Sequence, residues 1–171
     1  MLHNHYFGDI KNSTIKNLKV YGNITSDKEG AAGIVSWAYN SILENLEMNG
    51  KIQGANNSGG IIGGSNDNLT ISNCTNNADV TASKKAIGDI CGTINSGNAI
   101  IRNCNNTGDI SGNNWVGGIC GAVRGQGGET NVRIIKSYNS GEITSQDEFV
   151  GDIVGRTVEN PYTATVSIEN D

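Results

Sequence analysis

Apolar residues along this chain come in short pulses, separated by polar stretches rich in Gly and Asn, and the pulses recur in a fixed order. The clearest copy runs from Ile101 to Gly121. It contains Ile101-Arg102-Asn103-Cys104, then Gly108-Asp109-Ile110, then Gly117-Gly118-Ile119-Cys120-Gly121. The first pulse begins at Ile15, Leu43, Ile71, Ile101 and Ile134, with steps of 28, 28, 30 and 33 residues. The second ends at Ile24, Ile52, Val80, Ile110 and Ile143, and the third centres on Ile34, Ile61, Ile90, Ile119 and Ile153. A fixed order of apolar segments at a period of roughly 20–50 residues marks a repeat architecture in which each unit buries its core against the next.

Within a repeat the periodicity is that of strands. From Cys104 the residues alternate, with Cys104, Asn106, Gly108 and Ile110 on one face and Asn105, Thr107 and Asp109 on the other. The first pulse reads Ile-x-Asn-Leu/Cys in four copies (Asn17, Asn45, Asn73, Asn103), and the fifth has Lys136 in place of the Asn. Its two apolar ends are three apart and cannot share a face of a straight strand. An Asn in the left-handed conformation between them bends the chain and resets the phase, and stacked copies form an asparagine ladder. Polar turns separate the second and third pulses, and Ala122–Arg133 is a Gly-rich insertion expected to form a mobile surface loop. Nothing carries a helical stripe. Three short strands per coil, each paired with its copy in the next, predict an all-β, right-handed parallel β-helix. Five coils at a strand spacing of about 4.8 Å stand about 24 Å tall. Ile15, Ile24, Ile34 and their equivalents are its expected core columns.

Composition agrees with a thin repeated core. There are 24 Gly and one Pro, suiting many tight bends, and the aromatic content of 5% is too low for a wide globular core. The net charge of −5, with no Lys/Arg cluster along the sequence, argues against nucleic acid as a partner. No stretch approaches the roughly 20 apolar residues that insert in a membrane. The start, Met1-Leu2-His3-Asn4-His5, lacks the features of a signal peptide. Phe7-Gly8-Asp9-Ile10 reads as a lone third pulse, matching Val150-Gly151-Asp152-Ile153, and Ile168-Glu169-Asn170 as a first pulse cut short. The expectation is therefore one solenoid segment, residues 1–171, excised from a longer repeat protein, with further coils of the same chain as its neighbours.

The third pulse carries a resemblance. Gly60-Ile61-Ile62-Gly63 and Gly118-Ile119-Cys120-Gly121, with near copies at Asp89–Gly92, Asp152–Gly155 and Gly33–Ser36, resemble the GLUG motif. Asn103–Ile110 and Ser137–Ile143 look like the stretch that usually precedes it. The resemblance spans about Phe7 to Asn170. It implies a secreted or cell-surface bacterial protein of the kind found in adhesin-like proteins and in the regions outside the catalytic domain of IgA-cleaving metallopeptidases. It implies no activity for the repeats themselves, and a host or cell-surface protein or glycan as partner.

Candidate chemistry is sparse. His3 and His5 are the only histidines and form no zinc motif, so no catalytic residue and no cofactor is implied. The four cysteines fall in two columns, Cys74 over Cys104 and Cys91 over Cys120, stacked within the range that a disulfide accepts. Because the same positions hold Leu, Ser, Val or Ile elsewhere, they read as reduced core thiols, with stacked disulfides as the alternative. The residue preceding the second-pulse apolar position is Asn23, Lys51, Asp79, Asp109 and Glu142. Asp79, Asp109 and Glu142 thus make an outward acidic column that reads as a solvated ladder, or as a site for a hard cation such as calcium. If Ile119 faces inward on a continuous strand, Val116 and Cys120 (with Ile87/Cys91 and Val150/Val154) form an outward apolar stripe that needs a cover. Trp115 and Phe149, at equivalent positions beside that stripe, are the candidate binding residues. These readings predict a non-catalytic adhesion surface or spacer. The alternative is a β-helix polysaccharide lyase or glycoside hydrolase, which would set Asp79 and Asp109 in a deep cleft with a basic residue.

Overall fold

In the computed structural model, which describes residues 6–146 and 148–170, every helix-or-strand element is a strand and every strand pairing is parallel. His3 and His5 lie outside the described residues. The chain winds into a β-solenoid of about five turns. The first-pulse column runs Ile15, Leu43, Ile71, Ile101, Ile134 and Ile168 in unbroken register. The second runs Ile24, Ile52, Val80, Ile110 and Ile143. Val35, Ile62, Cys91, Cys120 and Val154 form the third, so the isoleucines that precede them are also superposed.

The phase reset at each first pulse is the one that the sequence calls for. Asn17, Asn45, Asn73 and Asn103 have φ of 57°, 55°, 53° and 51°, and Lys136 takes the same bend at 46°. An Asn tolerates this region because its short polar side chain can bond locally. The amide of Asn45 donates to Asn17 at 2.8 Å and that of Asn103 to Asn73 at 3.2 Å. A second ladder runs through Asn40, Asn68, Asn98 and Asn131 to Thr165.

The core is one cluster of stacked columns. Ile34, Leu43, Ile52, Ile61, Ile71, Ile90, Ile101, Ile119 and Ile134 are fully buried. Burial tapers at the ends of the stack: Ile15, Ile143 and Ile153 are half-buried and Ile168 is exposed.

Four expectations need correction. The short strands of a coil merge in the first coils, where Val35–Gly54 is one bent strand and Thr14–Thr25 spans two pulses, while later coils keep them separate, as in Gly97–Arg102, Asn105–Asn106 and Ile110–Gly117. Each coil also pairs along a further segment just before the third pulse, where Ser58, Ile87, Val116 and Val150 stack in register. That segment removes the outward apolar stripe in the middle coils, while in the last coil Val150 stays exposed and Val154 half-buried. The chain bends at Asp89-Ile90 and at Gly118-Ile119, between the two strands, so Ile87, Cys91, Val116 and Cys120 are all buried in the same core. The glycine that closes the pulse permits this fold-back. A Cβ on Gly121 would strike the backbone of Ala86 and Ile87, and one on Gly155 would lie 2.7 Å from the backbone of Trp115 and Val116. Third, Phe7–Ile10 is not a lone third pulse in the expected phase, since Phe7 pairs with Val35 and Ile10 with Ala38. The Phe therefore takes the place of the residue after the bend. Fourth, most of Ala122–Arg133 is strand, within Cys120–Arg124 and Thr130–Ile135. The short loop between them is tied down, with the amides of Gln126 and Gly127 both donating to the carbonyl of Asn95 at 3.1 Å.

Candidate functional site

The bend segment that precedes each third pulse repeats a left-handed residue: Gly30 (φ 78°), Asn57 (52°), Ala86 (62°) and Trp115 (57°). Each lies against the closing Gly of the next coil, at Gly63, Gly92, Gly121 and Gly155. Three of the four are small or φ-tolerant. A Trp there is a true outlier, at a cost of about 1–2 kcal/mol. Backbone register sets Phe149 next to it, because Val116 pairs with Val150.

Three cations converge on this indole. Lys85 Nζ, the Arg124 guanidinium and the Arg156 guanidinium lie 4.6, 4.8 and 4.9 Å from the ring centroid. Arg156 also stacks on Phe149 at 4.0 Å. The sequence showed no basic cluster because these residues are far apart along the chain. Register assembles them: Lys85 pairs with Asn114, Arg124 with Val158, and Arg156 with Ala122. Among the described residues none of the three forms an ion pair. Arg124 donates from Nη2 to Asn57 Oδ1 at 3.2 Å, and Asn57 in turn donates to Glu29. Burial lowers the pKa of Arg124. Its Nε and the Trp115 Nε1 are buried donors with no partner among the described residues. Lys85, Trp115, Arg124, Gln126, Val158 and Asn160 line a cleft of about 400 Å³.

The acidic column is organised differently. Asp79 Oδ1 accepts the Asp109 backbone N–H at 3.4 Å, and Asp109 Oδ1 accepts that of Glu142 at 2.9 Å. Each carboxylate therefore binds the backbone of the next coil, which offsets the repulsion between stacked acids. Lys51 Nζ lies 3.7 Å from Asp79 Oδ2 in an exposed pair, the kind worth at most about 1 kcal/mol. Asp79 and Asp109 line neither the Trp115 cleft nor a second concavity of about 440 Å³, which is walled by Gln53, Thr81, Ser111, Asn113 and their neighbours and has no titratable side chain. Among the described residues no three His, Cys, Asp or Glu side chains are placed to hold a metal ion.

One acid was not singled out from the sequence. Asp89 occupies the column of Gly60 and Gly118 and is fully buried. Beside it runs a buried ladder in which Asn76 donates to Asn106 at 3.1 Å and Asn106 to Asn139 at 2.7 Å. Asn76 also donates to Asp89 Oδ1 at 3.2 Å, while Asp89 Oδ2 has no partner among the described residues. Burial, and then the charges of Asp109 and Asp79, push the Asp89 carboxyl well above the usual range. The signal in sequence was its place in a Gly column.

Cys74, Cys91, Cys104 and Cys120 are free and buried. The hydrogen bond with its stacked partner, followed by burial, pushes the Cys91 and Cys104 thiols up. These sulfurs act as donors, Cys91 to the carbonyl of Thr93 at 3.4 Å and Cys104 to that of Arg102 at 3.3 Å. No helix among the described residues is long and apolar enough to cross a membrane. Compared with known proteins, the chain matches no family model, no curated protein and no solved structure.

Proposed function

We propose that this chain is a non-catalytic repeat module of a secreted or cell-surface bacterial protein, a rigid spacer whose flank carries a binding surface. One observation carries the reading: the acids best placed for chemistry are engaged by backbone. A hydrolase or lyase needs an acid and a base that converge on one substrate cleft. Here Asp79 and Asp109 hold the next coil's amides and line neither of the two concavities described above, and the most acid-like group, Asp89, is shut inside the core. The recognition chemistry gathers instead around Trp115. The surface location rests on the resemblance of the repeated Gly-Ile-x-Gly pulses to the GLUG motif.

The test is turnover. The purified protein is incubated with uronate-containing and neutral polysaccharides, and both new reducing ends and new unsaturated uronate ends are followed. The expected result is no cleavage above a heat-denatured control. Cleavage that disappears in Asp79→Asn or Asp109→Asn would overturn the reading in favour of a carbohydrate-active enzyme.

A further inference from the structure

The Trp115 cleft holds a charge arrangement that the fold itself does not require. The protein is acidic overall, with a net charge of −5. Yet Lys85, Arg124 and Arg156 all sit within 4.9 Å of one ring centroid, so no two are farther apart than about 10 Å, roughly one Debye length at 0.1 M salt. Like charges gathered this closely repel, and among the described residues no carboxylate lies within ion-pair distance of them, Glu29 reaching Arg124 only through Asn57. Trp115 holds the cluster together from a backbone conformation that three equivalent coils give to Gly, Asn or Ala. Unfavourable backbone geometry at a residue whose side chain organises a cleft is the usual mark of a functional position.

We propose that this cleft binds an anionic saccharide through a carboxylate or sulfate group on the sugar. The proposal rests on the reading of the chain as a binding module. Arg124 lines the cleft with its guanidinium over the Trp115 ring and its Nε a buried donor without a partner among the described residues. A guanidinium presents its N–H groups as a fork matched to a planar oxyanion. Arg156, outside the lining, adds positive charge beside it. Lys85 is exposed and supplies a second, rotatable cation. Gln126 and Asn160, also exposed on the cleft wall, offer amides that both donate and accept, as sugar hydroxyls do. The cleft volume of about 400 Å³ falls in the range of small-ligand sites, roughly 300–1,000 Å³. An acidic peptide fits the lining less well. Protein partners anchor through apolar side chains in desolvated pockets, and Val158 is the only aliphatic residue in this wall.

The experiment is an NMR titration of the isotopically labelled protein with four probes. They are a uronate trisaccharide, a sulfated trisaccharide, the neutral trisaccharide of the same backbone, and a tri-glutamate peptide. The expected result is saturable shifts of the Trp115 indole N–H and the Arg124 side chain with one or both acidic sugars, and the response to each of the two identifies the anionic group. Both Arg124→Gln and Lys85→Gln weaken binding about tenfold, while Arg124→Lys, which keeps the charge and loses the fork, recovers only part. Backbone spectra of the variants away from the cleft serve as the folding control. Equal binding of the neutral sugar overturns anion recognition and leaves the binding-module reading standing. Tri-glutamate binding as tightly as the sugars overturns the saccharide assignment. If no probe shifts the cleft resonances, the site itself is overturned and the spacer reading alone remains.

Discussion

Replacing Asp89 with Gly should stabilise this protein at neutral pH and not at acid pH. The carboxyl is fully buried, and only one of its oxygens has a partner, the Asn76 amide at 3.2 Å. An orphaned buried polar atom costs about 1–3 kcal/mol. Removing it leaves the Asn76 amide satisfied by the Ala78 carbonyl at 2.7 Å and Asn106 Oδ1 at 3.1 Å, so no new orphan arises. Against the gain stand the extra backbone entropy of Gly, about 0.5–1 kcal/mol, and a small void. The net is a stabilisation of about 1 kcal/mol at pH 8, or about 2–4 °C in Tm for a chain of this size. The sign with pH follows from linkage. The folded carboxyl titrates above its unfolded value of about 3.9, so what Asp89 contributes is fully present below about pH 4 and is lost as pH rises through the folded pKa. The advantage of the variant should therefore shrink to nothing or reverse at pH 4. Thermal unfolding of both proteins by far-UV circular dichroism at pH 4 and pH 8 reads this directly. A Tm difference of the same sign and size at both pH values would refute the reasoning.

Three other outcomes follow from the same geometry. Ile119→Ala truncates a fully buried side chain in a middle coil and should lower stability by about 2–5 kcal/mol in denaturant titration, whereas Ile168→Ala, on an exposed position at the end of its column, should cost less than about 1 kcal/mol. The four cysteines, free and buried, should resist a thiol reagent in the native protein and all react in denaturant; rapid native labelling would contradict their place in the core. Millimolar calcium should leave Tm unchanged, because Asp79 and Asp109 already bind backbone amides; a rise of several degrees that Asp109→Asn abolishes would restore a cation site to that column.

The solenoid was legible in the sequence because its signal is collective. Each pulse is weak, but Ile24, Ile52, Val80, Ile110 and Ile143 repeat one position, and burying a column requires that repetition. The left-handed Asn bends were legible for the same reason, since an apolar pair three residues apart cannot share one strand face. What escaped is what periodicity does not encode. The bend at Gly118-Ile119 turns both Val116 and Cys120 into the core, and a two-residue bend within an apolar run looks like continuous strand. The cationic cluster escaped because Lys85, Arg124 and Arg156 belong to different coils, and only the register of the segments before and after the third pulse brings them to Trp115. Trp115 and Phe149 could be named as neighbours from their repeat position; their cations could not.

The account depends above all on coil-to-coil register, because the acid ladder, the buried core and the Trp115 cluster all follow from it. Interstrand nuclear Overhauser effects test that register most directly. In a parallel pair, cross-strand contacts join residues one full coil apart. The predicted spectrum connects Val80 to Ile110 and Ile110 to Ile143, Cys91 to Cys120, and Lys85 to Asn114. Contacts displaced by even one residue, or antiparallel cross-peaks between any of these segments, would contradict the stack and with it the assembly of the cleft.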